Sequence, residues 1–191
     1  MTALRKSGAL RIGLISDTHG LLRPEALVFL QGCDHIVHAG DIGDPLILEH
    51  LGSIASVTAV RGNNDIGPWA QTLPQTEHLT TGGLCLCVVH DCGTLRPADV
   101  GARTRVVVAG HSHKPAAVRR DGIVYVNPGS AGPRRFSLPI AAGEIVVSAS
   151  GIRIRVVDLM AADKGPALVS IDLGCQRRHA ARRPWVPRPA G

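Results

Sequence analysis

Large aromatic rings are nearly missing from this chain: two Trp, one Tyr and two Phe in 191 residues. Gly, Ala and Val are plentiful instead, a composition that suits a buried sheet with helices packed against it. Long apolar runs are missing too. No uninterrupted stretch approaches the roughly 20 residues of a membrane-crossing helix, so no membrane span is expected. The run behind Arg5 and Lys6 is broken by Arg11 and ends at Asp17, which does not read as a signal peptide. Cys85, Cys87 and Cys92 lie close together but lack the paired C-x-x-C spacing of a zinc ribbon. Cys85 and Cys87 share one face of an apolar strand and read as buried thiols. An odd cysteine count without a secretion signal points to a reducing, cytoplasmic compartment. No G-x-x-x-x-G-K-[ST] occurs, which leaves P-loop nucleotide binding unsupported. Gly129-Ser130-Ala131-Gly132 is not the G-x-S-x-G elbow, which excludes a serine hydrolase of that kind. There are no internal repeats.

Positive charge is present, but unevenly. The formal charge is +6, and much of the excess lies in the last fifteen residues. The chain before them is only mildly basic, so net charge does not argue for nucleic acid. The length suits one domain, placed at residues 1–160, and residues 161–191 read as an Arg- and Pro-rich tail. A minority reading gives that tail contact with an acidic partner.

Strand and helix signals alternate in the first third. Strands are expected at 10–16, 34–39 and 57–60, and helices at 24–31 and 45–51, with Pro at the helix starts and Gly beyond the ends. Residues 67–75 read as a loop around Pro68 and Pro74. Then strands dominate: 77–80, 84–90, 106–109, 117–120, 123–127, 144–149 and 152–158, with a short helix at 96–102. Asp121-Gly122 and Ser150-Gly151 are hairpin turns. The pattern is a parallel α/β half followed by a strand-rich half, hence two packed sheets with helices outside.

Five of these strands end in metal-ligand side chains: Asp17 and His19, then Asp41, then Asn63, then His90, then His111 and His113. Asp17 and His19 stand two apart, so on an extended backbone they share a side. Sites in α/β sheets form at the carboxyl ends of strands. Seven ligands suffice for two divalent ions if one carboxylate bridges. With a bridging hydroxide the centre stays net positive and attracts a phosphoryl group, and two ions roughly 3.5–4 Å apart can activate that hydroxide for in-line attack. Imidazole, carboxylate and amide ligands without thiolate suit Mn²⁺ best, with Fe²⁺, Ni²⁺ or Zn²⁺ as alternatives, over Ca²⁺.

The series D-T-H-G, G-D, G-N-x-D, a strand ending in His, G-H-S-H and N-P-G-S resembles the calcineurin-like metallophosphoesterases. Within them it is most similar to the small bacterial and archaeal phosphodiesterase branch related to the retromer scaffold subunit. The resemblance covers residues 10–158. It implies a four-layer α/β/β/α sandwich of two mixed sheets with a dinuclear site at the strand ends. It also implies that Asp17, His19, Asp41 and His113 hold one ion, and Asp41, Asn63, His90 and His111 the other, with Asp41 bridging.

Two departures stand out. Many relatives carry His after the Asn of the third block, as a general acid; here that place is Asn64, which can hold a phosphate oxygen but cannot deliver a proton. Relatives often read His-Gly-His at the fourth block; here it is His90-Asp91-Cys92, so Asp91 adds negative charge near the substrate. Asn64 and Asp65 are the candidate catalytic residues, Asp65 either orienting Asn64 or capping the loop. Asn64, Asp91 and Arg23 are the candidate substrate contacts, with a surface ion pair as the other reading of Arg23. His38 is a candidate support for the ligands, while His35, His50 and His78 fit no block. Asn127-Pro128-Gly129-Ser130 is expected to brace a ligand-bearing loop. The expected activity is a phosphodiesterase, with a phosphomonoesterase or a non-catalytic scaffold as alternatives. The expected partner is a phosphate-ester small molecule and not a membrane; nucleic acid, as a nuclease substrate, is a third reading that rests on the basic tail alone, and a homo-oligomer is left open.

Overall fold

The structure is a computed structural model that describes residues 8–161 and 166–174. The first third alternates as expected: β1 (Leu10–Ile15), α1 (Pro24–Leu30), β2 (His35–His38), α2 (Pro45–Gly52) and β3 (Ser56–Ala59). Proline opens each helix, where the missing N–H costs nothing. Asp44 caps α2 by accepting from the Leu46 N–H at 2.9 Å. The helices bury Ala26, Leu30, Ile47 and Leu51 against the outer face of this sheet. Gly13 on β1 lets α1 close in, because a Cβ there would run into Leu30 and meet the Cys33 sulfur at 2.9 Å.

Then come α3 (Pro68–Gln71), β4 (Thr76–Thr81), β5 (Leu84–Val89), β6 (Val106–Val108), β7 (Ala116–Arg120), β8 (Ile123–Asn127), β9 (Ala141–Ser148), β10 (Gly151–Asp158) and β11 (Val169–Gly174). One sheet runs β11-β10-β9-β1-β2-β3, the other β4-β5-β6-β8-β7. Strands β1, β2 and β3 are mutually parallel, as are β5, β6 and β8; the flanking strands are antiparallel, so both sheets are mixed. Ile12, Leu14 and Val37 of the first sheet face Leu86, Val88, Val106 and Val124 of the second across a closed aliphatic core. Each such side chain contributes about 1.5–3 kcal/mol when fully buried. Among the described residues no helix is long and apolar enough to cross a membrane.

Three expectations change. Residues 68–71 form a helical turn where a loop is expected, because Pro68 presets φ for a first turn and Ala70 tucks inward. The helix expected at 96–102 is replaced by two 3₁₀ turns, Cys92–Thr94 and Pro97–Asp99. Gly93, Pro97 and Gly101 leave no uninterrupted stretch long enough for an α-helix. The outer layer over the second sheet is therefore thin. Finally, the domain does not stop at 160. Val169, Ile171 and Leu173 alternate with Ser170 and Asp172, and β11 completes the first sheet beside β10. A composition-level reading of the tail passes over that short alternation. The Arg- and Pro-rich run at 175–191 lies outside the described residues.

Candidate metal centre

Parallel β1, β2 and β3 deliver their carboxyl ends to one edge, and parallel β5 and β6 deliver theirs to the facing edge. Backbone hydrogen bonds knit these ends together: Asp17 N–H to Gly40 O at 3.0 Å, His19 N–H to Asp41 O at 2.9 Å, and Gly110 N–H to His90 O at 2.9 Å. The loops approach so closely that glycine is obligatory. A Cβ on Gly62 would fall on the Asp41 nitrogen and carboxylate, and one on Gly110 would fall on Ser16 Oγ.

All seven candidate ligands converge there. His19 Nε2 and His113 Nε2 stand 3.3 Å apart, and His113 Nε2 is 3.2 Å from Asp17 Oδ1. Asn63 Oδ1 lies 3.0 Å from both His90 Nε2 and His111 Nδ1. Asp41 spans the two groups, with Oδ2 3.7 Å from His19 Nε2 and Oδ1 3.4 Å from His90 Nε2. Asp17, His19 and His113 form one compact ligand set, and Asp17, Asp41 and His90 another. Asp17 thus belongs to both sets.

The donor set fits cations. Asp17 is fully buried, and its Oδ1 makes no hydrogen bond among the described residues. A carboxylate oxygen left in that state is costly unless a cation meets it. His90 Nδ1 bonds Ala39 O at 2.8 Å, which turns Nε2 toward Asn63 and Asp41. Asp41, His19, Asp17, His111 and His113 all have left-handed φ, between 46° and 66°. They make up five of the seven such non-glycine residues among those described. Each costs on the order of 1–2 kcal/mol, a strain that clusters at functional sites.

Electrostatics follows the same layout. Burial lowers the His19 pKa against the pull of Asp41 and Asp17, which favours the neutral, metal-binding imidazole. Burial pushes the Asp41 carboxyl up, but hydrogen bonds from His90 and from the Asn64 backbone and side chain outweigh it and hold it below the usual range. Burial would lower His90, yet the bonds to Asp41 and Ala39 raise it. His38 is entirely buried, and its pKa is lowered to about 4 by that burial.

The other candidates take different places. Asn64 donates to Asp41 twice, from the backbone at 2.8 Å and from Nδ2 at 2.6 Å, so it fixes the carboxylate that spans the groups. Asp65 is a correction to the catalytic expectation. It is buried, and its two oxygens accept from the Gly43 and Gly62 N–H groups, both at 2.8 Å. Of its two readings the loop cap is the one observed. Arg23 donates from Nε to Gly132 O at 3.0 Å, a backbone contact that neither reading anticipates. Asp91 Oδ2 stands 3.9 Å from His111 Nε2, at the rim. His38 bonds Thr18 Oγ1 at 2.9 Å and so steadies the loop between Asp17 and His19. Asn127 donates to Gly110 O at 2.6 Å and Ser130 Oγ to Asp17 O at 2.9 Å, the expected brace. His35 bonds Thr58 across β2 and β3, and His50 and His78 are exposed.

One residue at the site has no sequence signal. Arg135, 116 positions from His19, brings Nη2 to 3.4 Å from His19 Nε2. Neither spacing nor periodicity marks an exposed arginine in a loop.

Comparison with known proteins bears on this cluster. Residues 10–148 match the calcineurin-like phosphoesterase superfamily domain. A probable metallophosphoesterase of Methanocaldococcus jannaschii is 34% identical over 136 residues, which cover 64% of this chain and 69% of that protein. Among solved structures, vacuolar protein sorting 29 from Cryptosporidium parvum matches with a TM-score of 0.71 at 17% identity, over 88% of this chain and all of that one. The E. coli phosphoesterase YfcE matches with a TM-score of 0.65 at 24% identity, over 85% and 98%. At such identities the two structures speak to the fold alone.

Proposed function

The chain belongs to the calcineurin-like phosphoesterase superfamily, and from that premise we propose that it is a two-metal phosphodiesterase. The observation that carries this reading is Asp41, whose two oxygens reach toward histidines of two separate ligand groups. Asp17, His19, Asp41 and His113 would hold one ion, and Asp41, Asn63, His90 and His111 the other. When bound, such ions supply Lewis-acid charge to the phosphoryl oxygens and lower the pKa of a water toward neutrality. Water then adds across the ester: its oxygen bonds to phosphorus, the P–O bond breaks, and the electron pair leaves with the alcohol oxygen, which takes a proton from solvent.

The residues of the chain set the preference. Asn64 offers no proton, so the departing oxygen must carry its charge alone, which favours good leaving groups. Asp91 puts a carboxylate at the His111 rim, which repels a phosphomonoester dianion more than a diester monoanion. Arg135 adds a cation on the His19 side for a non-bridging oxygen. The rival reading, a scaffold on the same fold, has no use for five ligand residues held in left-handed backbone. Among the described residues Cys85, Cys87 and Cys92 form no disulfide, which suits a reducing cytoplasm.

The test is metal-stripped protein with Mn²⁺, Fe²⁺, Ni²⁺ or Zn²⁺ returned singly, assayed on aryl diesters and aryl monoesters. Mn²⁺ should restore turnover, with the diester preferred. Log rate should fall steeply as leaving-group pKa rises. Full activity in excess chelator, or a monoester preference, would overturn the reading.

A further inference from the structure

Beside His111 the cluster opens into a cavity of about 250 Å³. A larger one, about 380 Å³, lies between Val57 of β3 and Glu77 of β4 and is lined by none of the candidate ligands. The smaller cavity exists because the outer layer is thin on that side. Among the described residues the segment at 92–100 packs on the outer face of the second sheet through Leu95 and Val100, and Val118 is left 44% exposed and Tyr125 half-buried.

The strand register orders its lining. Ala116 pairs with Asn127, whose side chain holds Gly110 O and Ser112 Oγ, so this end adjoins the cluster. Val118 pairs with Tyr125, and Arg120 pairs with Ile123. Alternation puts Ala116, Val118 and Arg120 on one face of β7, which carries Arg120 roughly 13 Å beyond Ala116. The trough thus has a polar mouth at His111, an apolar floor of Val118 and Tyr125, and a cation at its far end. Arg120 has no ion-pair partner within 4 Å among the described residues. The volume is below the roughly 300–1,000 Å³ of a pocket that encloses a whole small ligand. It suits one substituent of a ligand anchored elsewhere.

We propose that this trough seats the departing alcohol of the diester: a flat apolar ring alcohol lying on Val118 and Tyr125, whose distal acceptor or anionic group meets Arg120. The proposal rests on the phosphodiesterase reading and names its substrate class. His111 lines both cluster and trough, so an ester oxygen on a phosphorus held at the cluster is directed into the trough mouth. A ring alcohol is also the leaving group that least needs the acid that Asn64 lacks.

The experiment is calorimetric titration of Mn²⁺-loaded full-length protein with methylphosphonate, phenylphosphonate and 4-carboxyphenylphosphonate, none of which can be hydrolysed. Covering one face of the ring should make phenylphosphonate bind about tenfold tighter than methylphosphonate. The carboxylate should add about threefold more. Val118→Gln, on an exposed edge strand, should erase the phenyl advantage and leave methylphosphonate affinity unchanged. Arg120→Gln should remove only the carboxylate increment. If methyl- and phenylphosphonate bind alike, the trough is refuted while the phosphoesterase reading stands. If none of the three binds and aryl diesters are not turned over, both readings fall together.

Discussion

The cluster has two halves, and they are built in different ways. Asp17, His19 and His113 come from two loops, are all held in left-handed backbone, and include a carboxylate of their own. Asn63, His90 and His111 come from the loops that follow three different strands, β3, β5 and β6, and only His111 is left-handed. The first half brings two ligands onto one loop by turning the chain back on itself, at the cost of strain. The second brings single residues together through sheet packing, with His90 oriented by the Ala39 carbonyl. A divalent ion should therefore bind more tightly in the first half, where the Asp17 carboxylate meets His113 at 3.2 Å, than in the second, where Asp17 stands farther from the side chains of Asn63 and His111.

The largest effect should come from removing what the halves share. Asp41→Asn is expected to lose both ions and to cut aryl diester turnover by more than the ~100-fold that the loss of an outer partner costs. Elemental analysis with an activity assay is the check, and retention of both ions would end the description of Asp41 as the bridge. Next in size, His113→Ala and His90→Ala should each leave one ion per chain. The ion that remains in His90→Ala should be the tighter one by calorimetry. Equal affinities in the two variants would erase the contrast between the halves.

A smaller effect sharpens the comparison from beneath the first half. His38 supports only that side, through Thr18, and its folded pKa of about 4 lies below the ordinary 6.5. Between pH 6.5 and 4 the unfolded chain binds a proton that the folded one refuses. Its contribution to stability is therefore full above pH 6.5 and is lost as pH falls toward 4, amounting to about 2 kcal/mol by pH 5. Urea unfolding of His38→Gln should lack this component. An identical pH dependence in native and variant protein would show that the imidazole titrates freely. The smallest effect is expected at the rim of the same half. Arg135→Ala should raise KM about fivefold, as the loss of roughly 1 kcal/mol from an exposed ionic contact implies. The kcat should change less, and an equal fall in kcat would make Arg135 part of the chemical step instead.

The sequence by itself determined the ligand types, their order and the strand that carries each. Those features are local: an apolar run, a glycine and a polar ligand within a few residues leave a readable trace. It also determined that the fold is two packed sheets, because period-two runs and Asp-Gly or Ser-Gly turns are short-range signals. The tertiary structure alone shows which candidate ligands stand together, since Asp17 and His113 lie 96 positions apart in the chain yet 3.2 Å apart in space. Only packing turned Asp65 into a brace between the Gly43 and Gly62 loops and placed Arg135 against His19. The same holds for the trough, whose lining joins Asp91 and His111 to Val118 and Arg120 of β7. Side-chain direction and the gap between layers depend on how two sheets meet, and no window along the chain contains both.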